Sequence, residues 1–307
     1  MRPLSPALLL LGAAAACGPA PEEQPPPPPE HGYQFLAGPW TVEPGTEIER
    51  CITIKVPETF TVGGFEVWGN TAFHHFALYA TLAAMPEGEK DCRAVLTDRV
   101  MPFTQTVFST SRQHHTVDFP RGVGGKFDGS LMTLIIAVHH LNPTKEPVEV
   151  RGAFNLVTRP EDTVTTWVNA LVHHVREFSL PPRSETVVKG RCVADAPIDV
   201  YATGSHGHAA LQKLELRLTR GGTVPDEPFY VNTEGLTPRI DVYADAPLRL
   251  EKGDGLEVRC HYKNDTDLPI VEGPKTTDEM CTGVLVYGPD RGYLRCDTPP
   301  DAEQLAH

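Results

Sequence analysis

The chain has 307 residues and a formal net charge of -13 at pH 7. That length is more than one core needs and suits two domains of about 130 residues each. The acidic balance, with no long basic run, argues against nucleic acid as a partner, because phosphates require clustered Lys and Arg.

Residues 1–17 read as a targeting segment. Arg2 gives a weak positive start, and the apolar run Leu8 to Ala16 is too short to span a bilayer as a helix. Ala14-Ala15-Ala16-Cys17 ends the run and resembles the bacterial lipobox, in which the cysteine is acylated; a plain signal peptide cut near Ala16 is the other reading. Residues 18–32, with Pro25 to Pro29, read as an extended spacer that does not pack. From Tyr33 the pattern is that of short strands. Cys51 to Val56, Val148 to Arg151, Glu185 to Lys189, Leu214 to Leu218 and Leu256 to Cys260 alternate with period two. Leu131 to Val138 is continuously apolar, as in a strand buried on both faces. Gly63-Gly64, Gly124-Gly125, Gly221-Gly222 and Asn264-Asp265 read as turns, and no helix-length amphipathic segment stands out. Thirty prolines and 26 glycines agree with an all-β chain of antiparallel sandwiches or jelly rolls. The boundary is placed at Thr158 to Asp162, giving domains 33–160 and 161–298 and a flexible tail 299–307.

Seven cysteines are present; setting Cys17 aside as a lipid site leaves six, enough for three disulfides in an oxidising compartment, with fifteen possible pairings. Thirteen histidines include the adjacent pairs His74-His75, His114-His115, His139-His140 and His173-His174, and the spaced pair His206 and His208. Residues i and i+2 of a strand share a face, so His206 and His208 can converge on one ion, with Gly207 leaving the opposite face uncrowded; two exposed strand histidines would look the same. Neighbours such as His74 and His75 point to opposite faces and can share a metal only at a strand end or bulge. His114-His115 reads as a loop, His140 as a residue behind the site or at the surface beside His139, His173-His174 as structural, and His261 as facing either a metal or solvent. Met280 alone would pass as a core residue, but a thioether beside two imidazoles favours Cu(I) over zinc.

In chain order these pieces resemble the copper type II, ascorbate-dependent monooxygenases, the family of peptidylglycine alpha-hydroxylating and dopamine beta-monooxygenases. The resemblance runs from about Arg50 to Cys296 and rests on His74-His75 in an apolar strand, Val138-His139 at a strand end, His206-Gly207-His208, the strand Gly253 to Cys260, and Asp278-Glu279-Met280-Cys281. It implies two jelly-roll-like antiparallel β-sandwich domains facing each other across a cleft. It further implies two copper ions per chain, one held by His74, His75 and His139, the other, where O2 is activated, by His206, His208 and Met280. Disulfides Cys260–Cys281 and Cys192–Cys296 carry over, which leaves Cys51 and Cys92 as the third pair; the animal enzymes have more bridges in the first domain. The arginine, asparagine and tyrosine that grip a peptide carboxylate in the amidating enzymes are replaced here by Gly204, Thr282 and Val284, so a C-terminal peptide glycine is not the expected substrate. The implied activity is hydroxylation of a C–H bond with O2 and electrons from ascorbate or another one-electron donor. The expected place is exported, anchored through the lipid at Cys17, with the outer membrane favoured. A copper-binding or copper-storage lipoprotein without turnover, and a β-sandwich interaction module, are the alternative functions.

Overall fold

The computed structural model describes residues 24–305 except 57, 236–238, 274, 276 and 302; Cys17 and the targeting segment lie outside the described residues. Alternating β-branched and aromatic residues produce ten strands before residue 160: β1 (Gly32–Val42), β2 (Glu47–Lys55), β3 (Phe60–Gly69), β4 (Phe73–Thr81), β5 (Gly88–Asp91), β6 (Thr104–Thr110), β7 (His114–Asp118), β8 (Val123–Phe127), β9 (Thr133–Leu141) and β10 (Val148–Thr158). Beyond it come β11 (Thr166–Val175), β12 (Ser179–Leu180), β13 (Ser184–Val193), β14 (Ile198–His206), β15 (Leu211–Thr219), β16 (Tyr230–Asn232), β17 (Asp241–Val242), β18 (Leu248–Leu250), β19 (Gly255–Asn264), β20 (Ile270–Val271), β21 (Cys281–Gly288) and β22 (Leu294–Thr298). Among the described residues the α-helix is a four-residue piece, Cys92–Val95.

The sheet β5-β2-β9-β4-β6 packs over β1-β10-β3 with its neighbours β7 and β8, and an aromatic-rich core including Phe65, Phe76 and Phe154 fills the space. β9 lies at the centre of its sheet. Leu134, Ile136 and Val138 enter that core, while Ile135 and Ala137 enter a smaller one under the helix, with Cys51 and Cys92. This explains the unbroken apolar run, which is buried from Thr133 on. Leu131, expected to belong to it, is 65% exposed in the preceding turn. The second sandwich packs β16-β15-β19-β13 against the sheet that contains β11, β21 and β14, around Leu214, Leu216, Val258 and Leu285. Disulfides Cys51–Cys92, Cys192–Cys296 and Cys260–Cys281 each tie a strand of one of these cores to a neighbouring segment. Three disulfides fit an oxidising compartment. No helix among the described residues is long and apolar enough to cross a membrane.

Two glycine pairs expected in turns are in strands. Gly64 sits inside β3 where a Cβ would lie 2.6 Å from the Val117 carbonyl of β7, and Gly124 lies in β8 against Thr61 and Val164. They allow close strand approach rather than a reversal. Gly221 and Gly222, with φ of +57° and +81°, do form the turn after β15. Part of the proline-rich spacer also packs: Pro26 and Pro27 carbonyls accept hydrogen bonds from Gln34 and Asn155. Finally, β8 pairs in parallel with β11 (Val123 with Thr166, Gly125 with Val168), so one sheet runs through both sandwiches.

Two buried histidines make stability depend on pH. His140, at 0% exposure between Trp40 and Phe73, is pushed down to about 4 by burial, and His173, also 0% exposed, down to about 3. Both folded values lie below the unfolded one near 6.5, so the unfolded chain takes up more protons as pH falls, and stability present above about pH 6.5 is lost below it. At pH 5 each contributes a loss of about 2 kcal/mol. Thermal melts should therefore drop between pH 7 and pH 5, and less so in His173→Asn; a melting temperature that stays flat over that interval contradicts this account.

Candidate metal centres

The first centre forms where three strands of the β5-β2-β9-β4-β6 sheet end. The register of β4 on β9 slips at its start: Phe73 lies opposite His140, and His75 opposite His139, leaving His74 as the extra residue of a bulge. A bulge re-aims a side chain, so two neighbours that a regular strand would send to opposite faces reach one point. Nδ1 of His74 lies 3.1 Å from Nδ1 of His75, and Nδ1 of His139 lies 3.3 Å from that same atom. The three donors fall within 4.8 Å of one another. Metal–imidazole bonds of about 2 Å put donors on one ion about 3–4 Å apart, so His75 already stands at ligand spacing from both partners, and a small movement of the rings would complete the set. Burial first, and then the neighbouring imidazoles, hold His74 and His139 below the usual histidine range. They are therefore neutral at pH 7, the form that ligates metal.

The opposite edges of two of these rings face carboxylates that the sequence reading passed over. His139 Nε2 is 3.0 Å from Glu47 Oε2, and His75 Nε2 is 3.7 Å from Glu49 Oε1. Glu47-Ile48-Glu49 has the alternation of any strand with a solvated face, so its pattern alone carried no signal.

The second centre is built at the end of β14. His206 closes that strand opposite Thr282 of β21, and the His206 and His208 ring centroids are 5.1 Å apart. His208 Nδ1 donates to the Asp278 carbonyl at 2.8 Å, which leaves Nε2 as the free donor. His206 is pushed down to about 4 by burial, then by His208 and His75. The buried Glu279 carboxylate accepts from the backbone N–H groups of His208 (2.9 Å) and Ala210 (2.5 Å), stitching the histidine loop to the segment that carries Met280. Met280 is half-buried, and its carbonyl accepts from the Tyr262 hydroxyl at 2.8 Å. Gly207 is there for a reason opposite to the expected one. Its surroundings are crowded: a Cβ would lie 2.4 Å from Leu211 Cδ2 and 2.9 Å from the Met280 carbonyl oxygen.

His75 of the first centre lies near enough to His206 to be the last of the groups that lower its value. Beside them Arg112 of the first half pairs with Glu234 of the second at 3.3 Å, and Ile240 and Val242 pack on the first core. The sheet face that carries His206 continues one way through Gly204, Val284 and Val172 to Ile240, and the other way through Thr282 to buried His174, whose Nε2 is 3.2 Å from Glu272 Oε1.

The remaining histidines depart from expectation in several ways. His114 and His115 stand in strand β7, not a loop, and His115 Nδ1 is 2.7 Å from Thr110 Oγ1. His140 is on the core face rather than at the surface or behind the site. His261 takes the solvent reading in part: its side chain is 32% exposed, projects beside Lys213 and lies 3.5 Å from Glu215. His173 agrees with a structural role, with Nε2 3.2 Å from Thr298 Oγ1. It also lies close to Cys192 and Cys296, but those sulfurs are joined to each other and offer no thiolate to a metal.

Residues 168–307 match the copper type II ascorbate-dependent monooxygenase C-terminal domain. The match contains His206, His208 and Met280; His74, His75 and His139 lie outside it. The chain is also similar to DBH-like monooxygenase protein 1 of Gallus gallus, 28% identical over 199 residues that make up 56% of this chain and 31% of that protein. It thus matches about a third of the length of that relative. Among solved structures, a triple jelly roll protein of an archaeal virus (14% identity, 84% of this chain and 59% of that one, TM-score 0.22) and the PBSX exported protein XepA (7% identity, 85% and 88%, TM-score 0.23) are too dissimilar to bear on fold or function.

Proposed function

We propose that this protein is a copper-dependent monooxygenase that hydroxylates a C–H bond with O2 and electrons from ascorbate or another one-electron donor. The observation that carries the reading is the convergence of three imidazole Nδ1 atoms on one point, facing a second histidine pair inside the stretch that matches a copper monooxygenase domain. Copper would supply the redox chemistry: insertion of one oxygen atom from O2 needs two external electrons, and each ion stores one. His74, His75 and His139 would hold one ion, and His206, His208 and Met280 the other. The bulge at His74 supports this set by bringing the first three imidazoles together, and the Glu279 bridge by tying the His208 loop to the segment that carries Met280.

The substrate is uncharged where it meets the protein. Gly204, Thr282 and Val284 supply no cation for a carboxylate, and a charged group set over Gly204 and Val284 would be desolvated without compensation. A glycine-extended peptide should not be turned over above background; measurable amidating turnover would reject this assignment. We further propose that the protein is exported and anchored through acylated Cys17, which mass spectrometry of the membrane fraction would detect as a lipid adduct.

The direct test is copper stoichiometry on residues 18–307, with His206→Ala and Met280→Ala for comparison. The reading requires two coppers, falling to one in His206→Ala, and weakened Cu(I) binding in Met280→Ala. Zinc alone, or no metal, with no change in the variants, would defeat it.

A further inference from the structure

Glu47, Glu49, His139 and His75 share one face of the sheet. Glu49 is opposite His139 across β2 and β9, His139 is opposite His75 across β9 and β4, and Glu47 precedes Glu49 by one strand period. Glu47 Oε2 is within hydrogen-bond distance of His139 Nε2 at 3.0 Å, whereas Glu49 Oε1, 3.7 Å from His75 Nε2, is at ion-pair range. Nearby cations do not neutralise them: Arg50 pairs with Glu89, and Asp91 adds a further negative charge near Glu49. The second centre differs in kind, because His208 donates to a neutral backbone carbonyl, and a methionine stands in the adjoining segment.

A carboxylate that accepts the far N–H of an imidazole fixes its tautomer, leaves the near nitrogen free to bind metal, and makes the ring a stronger donor. Negative charge held behind the ligands also stabilises the more highly charged ion. We propose that Glu47 and Glu49 are positioning residues of the first centre, holding His139 and His75 with Nδ1 toward the ion and biasing that ion to its oxidised form. This rests on the proposed copper function. It adds two residues outside the ligand set and gives the two centres unequal preferences for Cu(II) and Cu(I).

The test uses His206→Ala as parent, so that the first centre alone is read, and measures Cu(II) and Cu(I) affinities by competition with chelators. Glu47→Gln, which keeps shape and loses charge, should weaken Cu(II) binding about 10–100-fold, while Cu(I) binding changes by less than about threefold. Glu49→Gln should act in the same direction but less, given its longer contact, and Glu47→Asp should recover part of the loss. Melting of the metal-free protein should be unchanged, since the Glu47 side chain is 60% exposed. Equal weakening of both oxidation states, or Cu(II) affinity in the double Gln variant within about threefold of the parent, would overturn the inference while leaving the copper reading intact. A parent that binds no copper at all would remove both.

Discussion

His139→Ala is expected to cut bound copper from two ions to one and to lower coupled hydroxylation by on the order of 100-fold or more. His139 is the most enclosed ligand of the first centre, 6% exposed, and it is the member that joins β9 to the bulged start of β4. Without it, His74 and His75 remain as two donors on one strand. Binding one ion would then require them to recruit water. The second centre is built from different strands and should keep its copper, so stoichiometry and activity separate: one ion remains, but the supply of the second electron is interrupted. Metal analysis together with oxygen uptake under excess ascorbate reads both quantities. Two coppers retained in the variant would show that His139 is not a ligand.

Glu279→Ala is expected to be the most damaging change to the second half outside its ligands. The carboxylate is 1% exposed and accepts from three backbone N–H groups, of His208, Ala210 and, at 3.3 Å, Met280. Its removal leaves the buried Ala210 donor and the part-buried His208 and Met280 donors without this partner, at about 1–3 kcal/mol for the buried one and less for the others. A total near 3 kcal/mol corresponds to a fall in melting temperature of roughly 6–12 °C for a chain of this size. Copper affinity at His206 and His208 should fall as well, because the loop is no longer tied to the Met280 segment. Glu279→Gln keeps one acceptor oxygen and should lose about half as much. A melting curve unchanged in both variants would show that the bridge contributes nothing.

Strand content and the buried central strand were readable in the residues because each rests on local pattern, whereas the grouping of His139 with His74 and His75, the latter 64 positions away, came only from the family resemblance. The steric conflict between adjacent strand histidines even demanded a strand end or a bulge, and the bulge is there at His74. Other features depend on which strand lies beside which. Glu47 and Glu49 gain meaning only because β2 is next to β9. His261 takes its direction from the charged partners across β15. Gly63-Gly64 and Gly124-Gly125 look like turns until the close approach of β7 to Gly64 and of Thr61 to Gly124 shows why those two positions exclude a side chain. The position of Met280 near His206 was legible through a family resemblance, and physically it depends on Glu279 and the Tyr262 hydroxyl.

The parallel pairing of β8 with β11 bears on how the molecule can be divided. Its two halves have separate cores, which invites cutting the chain near Pro160 to study each candidate metal centre alone. Such a cut would expose an unpaired strand edge on both products, one along Val123–Gly125 and one along Thr166–Val168. Bare edges of this kind recruit strands from other molecules. Isolated halves should therefore self-associate even when each core is intact, whereas co-expressed halves should find each other through that seam.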